Sequence, residues 1–177
     1  MSDVRHFWDD GFSRLELEEA QKRYNFIFPI NLFELLCERR KRGGYDWSSD
    51  ISDLRDAFLW PFETLFWHVE HDYWWPQWGK RPNTDSSRKD CLREFLLTVP
   101  KLIPIRGQRF IPETPSTRGN PVFSVRGFDV IYYGSNVVEF FLNELTGSSF
   151  LGPTTYVQPW GDLADVARVR PNVRKAK

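Results

Sequence analysis

Residues 109–134 decide the fold, because they hold three short extended segments in succession: Arg109-Phe-Ile-Pro112, Gly119-Asn-Pro-Val-Phe-Ser-Val125 and Asp129-Val-Ile-Tyr-Tyr-Gly134. β-Branched and aromatic residues dominate these segments, which is the composition of strands. A similar segment, Leu102-Ile-Pro-Ile105, precedes them. Turn residues separate the four segments, namely Gly107, Gly119-Asn-Pro121 and Gly127. Because the connections are short, we predict a mostly antiparallel, twisted sheet.

Two helices are predicted near the start of the chain. The first begins in a capping box, Ser13-Arg-Leu-Glu16, and runs for about three turns from Leu15. The second is expected to use Asn31 as its N-cap and to end in the basic run Arg39-Arg-Lys-Arg42, whose charge suits a helix C-terminus. Its core-facing positions are Leu32, Leu35 and Leu36.

The remaining chain is predicted to add two helices before the sheet and one after it. Residues 51–58 form a short helix that Trp60-Pro61 ends, and residues 66–74 form either a strand pair or one extended, aromatic-rich strand. Residues 88–97 form another helix, whose core-facing residues are Cys91, Phe95 and either Leu96 or Leu97. The late helix starts at Ser135-Asn136.

This order of elements predicts an α+β fold. N-terminal helices come first, a mostly antiparallel twisted sheet lies in the middle, and a late helix packs on it. The length of 177 residues suits one domain, which we assign to residues 1–167. Residues 168–177 contain five Lys and Arg and are predicted to be a basic C-terminal tail.

Composition and charge exclude several classes of protein. Hydrophobic residues make up 41% of the chain and no long apolar run occurs, which excludes disorder and a transmembrane helix. The net charge is zero, with −4 in residues 1–90 and +4 in residues 91–177, so nucleic acid is not a favoured partner. Met1–His6 have no apolar run, and Cys37 and Cys91 are too few for a disulfide framework. We therefore expect a cytoplasmic protein.

The strand segments resemble the central block of the SUKH superfamily, which includes the fungal Smi/Knr cell-wall regulators and many bacterial immunity proteins. The resemblance covers roughly residues 10–165. Its other parts are Gly11-Phe-Ser13 through Phe28-Pro29 to Leu36, Trp60-Pro61, Val69-Glu-His71, Trp74, Trp78-Gly79 and Pro159-Trp-Gly-Asp-Leu163. It implies an α+β fold and a protein that binds other proteins without a shared catalytic set. Bacterial members commonly bind a toxin domain and neutralise it.

One segment invites a metal hypothesis, because His68, Glu70 and His71 stand close together. The spacing fits neither HExxH nor HxxEH. On a strand, His68 and Glu70 would share a face while His71 pointed away, so only two ligands would converge. We therefore predict no metal, no cofactor and no catalytic set. Arg109 is expected to form a buried ion pair with Glu70 or Asp129.

The candidate binding residues lie in the aromatic segment from Asp72 to Arg81. Strand side chains alternate, so its neighbouring rings cannot all point inward, and we expect Tyr73 or Trp75 to be exposed. Trp, Tyr and Arg are frequent interface hot spots. The predicted partner-binding residues are Glu70, Asp72, Tyr73, Trp75, Trp78 and Arg81.

Three functions follow from these observations, in decreasing order of preference. The first is an immunity protein, monomeric on its own, that binds a toxin domain directly. The second is a regulatory interaction module like the fungal members of the superfamily. The third is a metal-dependent hydrolase that uses His68, Glu70 and His71.

Overall fold

The computed structural model describes residues 7–169 and has the predicted α+β fold. Its helices are α1 Arg14–Tyr24, α2 Ile30–Glu38, α3 Ser52–Glu70, α4 Asp85–Thr98, α5 Val137–Thr146 and α6 Trp160–Val169, with a 3₁₀ turn at Pro76–Trp78. Its strands are β1 Trp8–Asp10, β2 Arg39–Lys41, β3 Leu102–Arg106, β4 Arg109–Pro112, β5 Val122–Arg126 and β6 Asp129–Gly134. The predicted basic tail lies outside the described residues, apart from its first two, which continue α6.

The central sheet is antiparallel, as predicted, and its strand order is β3-β4-β5-β6. Its two faces join different hydrophobic clusters because side chains alternate along each strand. Ile111 and Val122 pack in one cluster with α1, α2 and α5. Phe110 and Phe123 pack in the other with α6. Near the β3–β4 turn, a row of residues crosses the sheet from strand to strand: Arg106, Arg109, Ser124 and Ile131.

The capping box of α1 forms as predicted. The Ser13 hydroxyl accepts from the Glu16 N–H at 3.2 Å, and the Glu16 carboxylate accepts from the Ser13 N–H at 2.7 Å. These two bonds satisfy backbone donors that the first turn of a helix would otherwise leave free. The Ser13 hydroxyl also donates to the Glu16 carboxylate at 2.7 Å, and this bond contributes most to lowering the pKa of Glu16, followed by the bond from the Ser13 N–H.

The prediction for the basic run was wrong. Helix α2 ends at Glu38, and Arg39–Lys41 is strand β2, which pairs with Trp8–Asp10. Pairing over three residues outweighed the favourable charge–dipole contact that would have kept these residues helical. The N-cap is Pro29 rather than Asn31, whose side chain donates to the Arg118 carbonyl at 2.9 Å.

The prediction that Trp60-Pro61 ends a helix was also wrong. Helix α3 runs through Pro61 to Glu70 and replaces the strand expected at residues 66–74. Pro61 lacks the N–H that would bond the Ala57 carbonyl, which costs about 3 kcal/mol in an isolated helix. The burial of hydrophobic side chains before and after Pro61 compensates for this cost, since Leu54 and Leu65 are fully buried.

The later helices agree with the prediction in part. Helix α4 covers the expected residues, but Leu92 is its fully buried residue and Leu97 is 86% exposed. Helix α5 is capped by Asn136, whose side chain accepts from the N–H groups of Val138 and Glu139. Helix α6 was not predicted. It is anchored by Trp160, which is 1% exposed and donates to the Pro100 carbonyl at 2.9 Å.

Candidate protein-binding surface

The aromatic segment that follows α3 is mostly core. Trp75 is only 8% exposed, so the expectation that it is a surface residue was wrong. Its ring lies 5.8 Å from the rings of both Trp78 and Phe95 in edge-on contact, and Trp78 lies 5.5 Å from Phe128. The 3₁₀ turn brings together the rings of Trp75 and Trp78, three residues apart, whereas the alternation of a strand would direct them to opposite faces. We call Trp74, Trp75, Trp78, Phe95 and Phe128 the aromatic cluster.

The other residues of the predicted patch have structural contacts around this cluster. Arg81 donates through Nη2 to the Val69 carbonyl and to Asp72, each at 3.1 Å. It thereby fixes the turn at Asp72, which has a φ of 69°. Tyr73 is half-buried, with its ring 5.4 Å from that of His68. Of the six predicted residues, only Glu70 and Asp72 are exposed.

Neither histidine of the metal hypothesis lies on a strand, because His68 is in the last turn of α3 and His71 is the residue that caps its C-terminus. The Nδ1 atom of His68 lies 2.8 Å from the Thr64 carbonyl, and that of His71 lies 2.7 Å from the Trp67 carbonyl. Each ring is therefore held by its own helix, one turn back. Among the described residues, no three His, Cys, Asp or Glu side chains form a group that could hold a metal ion.

Arg109 does not form the predicted ion pair. Its Nη1 donates to the Ser124 hydroxyl at 2.7 Å, and its guanidinium lies 3.7 Å above the centre of the Tyr133 ring. Register explains this arrangement, because Arg109 and Ser124 are paired across β4 and β5. Stacking on an aromatic ring is a frequent use of a guanidinium group.

The two cysteines are free thiols on α2 and α4. Burial is the largest influence on both, and it raises the pKa of Cys37 and of Cys91. A thiol whose pKa is raised is less available as a thiolate nucleophile. Both residues therefore resemble small, partly buried packing residues, as the sequence analysis expected.

A different surface has the composition of a binding site. Trp60 and Trp67, two turns apart on α3, are 37% and 53% exposed. Three acidic residues extend this pattern, so that Asp53, Asp56, Trp60, Glu63 and Trp67 follow one another at intervals of three and four residues. This spacing places all five side chains on one side of the helix. Each of the five is exposed, and we call them the α3 face.

The carboxylates of the α3 face are not neutralised by neighbours. Within residues 7–165, no Lys or Arg lies within ion-pair distance of Asp53, Asp56 or Glu63. The Trp60 ring is held in place, because its Nε1 donates to the Val125 carbonyl at 2.8 Å. The α3 face therefore combines fixed aromatic surface with uncompensated negative charge.

An open cleft of about 920 Å³ lies between the α3 face and the β3–β4 turn. On its far side, Arg106 pairs with Glu144 at 2.5 Å. Tyr45 closes one end and its hydroxyl donates to the Gly107 carbonyl at 3.4 Å; burial raises the pKa of this tyrosine. The residues lining the cleft are Tyr45, Asp53, Asp56, Ala57, Trp60, Glu63, Arg106, Gly107, Gln108, Arg109 and Glu144.

No protein-family model, no curated protein and no solved structure matches this chain. Across residues 7–169, no helix has both the length and the apolar character that a membrane crossing requires. The site must therefore be interpreted from its own chemistry.

The sequence analysis missed the α3 face, although a signal was present. Asp53, Asp56, Trp60, Glu63 and Trp67 repeat at intervals of three and four, which is the period of one helix face. Treating Pro61 as a helix end divided this repeat in two. The cleft had no such signal, because its opposite wall comes from residues about 50 positions later in the chain.

Proposed function

We propose that this chain is a non-catalytic, cytoplasmic protein-binding domain of the SUKH type that neutralises a bacterial toxin by binding it directly. One observation carries the proposal: the α3 face exposes two tryptophans beside three carboxylates that have no ion-pair partner within residues 7–165. A fold that keeps such a surface in solvent gains no stability from it. Burying this surface against a partner would be favourable.

The chemistry of the surface supports protein binding over catalysis. Tryptophan is enriched among the residues that dominate interface energies, especially where it is held rigid before binding. Trp60 is held by its bond to Val125, and the Trp67 ring stacks on His71 with centroids 4.0 Å apart. Exposed carboxylates around these rings favour a partner with a basic surface, since complementary charge speeds association and selects partners.

The resemblance supports the toxin-neutralising form of this proposal. The strand segments that resemble the SUKH block form β4, β5 and β6, and the segments Trp60-Pro61 and Val69-Glu-His71 lie on α3. The helix that bears the exposed surface is thus part of the resemblance. A regulatory interaction module, like the fungal proteins, would use the same kind of surface on a partner that is not toxic.

The test is affinity capture from the native cell followed by a growth assay. The wild-type chain and its Trp67→Ala variant serve as baits, with Leu97→Ala as a control because Leu97 is an exposed apolar residue away from the α3 face. A protein retained by wild type and control, but lost by Trp67→Ala, is then expressed alone in a bacterial host. We expect it to stop growth, and we expect co-expression of the wild-type chain to restore growth.

Two outcomes contradict the proposal. A captured partner that is harmless when expressed alone would favour the regulatory module. A toxic partner that wild type does not suppress would mean that binding is unrelated to neutralisation.

A further inference from the structure

The geometry points to a specific partner chemistry for the cleft: we infer that it receives an arginine-bearing, basic segment of a protein partner. The inference rests on the proposed function for the statement that the partner is a protein. It goes further by naming the chemical group that enters the cleft and the wall against which that group packs.

The charge of the cleft favours a cation. Its lining includes four carboxylates, from Asp53, Asp56, Glu63 and Glu144, and two guanidinium groups, from Arg106 and Arg109. Arg106 is paired with Glu144, and Arg109 is bound by Ser124 and Tyr133. The carboxylates left without a cation are therefore the three on the wall formed by α3.

The aromatic residues of the cleft favour a guanidinium over an ammonium group. The Trp60 indole is fixed by its bond to Val125, and the Tyr45 ring is fixed by the bond from its hydroxyl to Gly107. A planar guanidinium stacks on such rings and binds carboxylates through two parallel N–H bonds, whereas an ammonium group offers only a point charge. The same stacking occurs beside the cleft, where the guanidinium of Arg109 lies 3.7 Å above the centre of the Tyr133 ring.

The shape of the surface favours a segment rather than a single side chain. A second pocket of about 460 Å³ continues along α3 and shares Trp60 with the cleft. Its lining includes Trp67, Thr64, His68, Arg126 and Asp129. A chain segment that places an arginine beside Glu63 could therefore pack a neighbouring residue against Trp67 on the next turn of α3.

An anionic ligand such as a nucleic acid is not favoured by the same contacts. Arg106 is already paired with Glu144, and the other charged residues that line the cleft are Arg109 and three carboxylates, so negative charge is in excess. A phosphate group would have to displace the Arg106–Glu144 pair while it approached these carboxylates. Both changes cost free energy.

The test uses an amidated octa-arginine peptide and isothermal titration calorimetry. The whole chain has no net charge, so binding of a polycation reports a local acidic surface. We expect wild type to bind the peptide and the double variant Asp56→Asn with Glu63→Gln to bind it at least about tenfold more weakly. Affinity should also fall as salt rises from about 50 to 200 mM.

A matched double variant separates the cleft from general surface charge. Asp90→Asn with Glu94→Gln removes the same two negative charges from the exposed side of α4, which contributes no residue to the cleft. We expect its affinity to stay within about twofold of wild type. Equal weakening in the two double variants, or no binding by wild type, would overturn the inference.

The same variants distinguish this inference from the proposed function. If octa-arginine binds as expected but the captured partner is not toxic, the proposed function fails and the cleft assignment stands. If a toxin is neutralised equally well by wild type and by Asp56→Asn with Glu63→Gln, the cleft assignment fails and the proposed function stands.

Discussion

Two tryptophan-rich regions lie within 20 residues of each other and have opposite roles in the fold. In the aromatic cluster after α3, Trp74 and Trp75 are less than 10% exposed and pack against other rings. On the α3 face, Trp60 and Trp67 are exposed beside carboxylates. The density of aromatic residues is higher in the buried region. The density of aromatic residues in a segment therefore did not indicate whether its tryptophans are exposed, whereas their position on a helix face did.

The two regions differ because their backbones direct side chains differently. The 3₁₀ turn at Pro76–Trp78 places Trp75 and Trp78, three residues apart, in one hydrophobic cluster. A helix directs residues at intervals of three and four to the same side, and the other sides of α3 already contact the sheet and α4. The predictions below test this contrast by comparing substitutions in the two regions.

The largest effect is expected at Trp75. Replacement by alanine removes a buried indole from the aromatic cluster and should lower the free energy of unfolding by about 3–5 kcal/mol. Urea denaturation of wild type and variant measures the change. A loss below about 1 kcal/mol would mean that Trp75 is not packed as the structure shows, and the contrast between the two regions would disappear.

The contact that holds α3 against the β5–β6 turn should be nearly as sensitive. Gly127 has a φ of 63°, and a Cβ atom there would lie 2.2 Å from the His68 ring and 2.8 Å from the Thr64 carbonyl. We expect Gly127→Ala to lower the free energy of unfolding by about 3 kcal/mol, since backbone strain and overpacking add.

Gly107 provides the control for this substitution. It also has a positive φ, of 51°, but no atom lies within 4 Å of the position of its Cβ. Gly107→Ala should therefore lower the free energy of unfolding by only about 1 kcal/mol, which is the cost of a left-handed backbone conformation for alanine. Equal losses at both glycines would contradict the close contact between α3 and the turn.

A smaller loss is expected when the bond that fixes Trp60 is removed. Trp60→Phe keeps an aromatic ring but deletes the N–H that donates to Val125, which should cost about 1 kcal/mol. Octa-arginine affinity should fall as well, because the ring is no longer held in place. If stability falls while peptide affinity is unchanged, Trp60 supports the fold and takes no part in recognition.

The smallest effect on stability is expected at Trp67. Its ring is more than half exposed, so Trp67→Ala should change the free energy of unfolding by less than about 0.5 kcal/mol. Partner capture should nevertheless be lost. A variant that is strongly destabilised, or one that still captures the partner, would place Trp67 outside the binding surface.

Local signals in the sequence were sufficient for the sheet and for several helices. The strand segments, the capping box at Ser13 and the cap at Asn136 depend on residues within a few positions of one another. The errors arose where distant contacts outweighed local preference. Pairing with β1 made Arg39–Lys41 a strand, and burial of Leu54 and Leu65 kept α3 helical across Pro61.

The site was harder to predict for the same reason. Trp75 was expected to be exposed because it follows residues 66–74 directly, and these were assigned to a strand once the helix was taken to end at Pro61. The cleft joins α3 to the β3–β4 turn, so only the tertiary arrangement brings Glu63 and Arg106 to one opening. Sequence spacing could have identified one wall of the cleft but not the opposite wall.

Buried and exposed positions alternate along α3, and this arrangement affects which of its residues can change in evolution. Leu54, Leu65 and Val69 are fully buried, while Asp56 and Glu63 are exposed and form no ion pair with any side chain of residues 7–165. Substitutions at the second group leave the contacts of the first unchanged, and effects at independent sites add. Exposed residues of this face could therefore be exchanged one at a time in evolution while the buried residues, and with them the fold, stay the same.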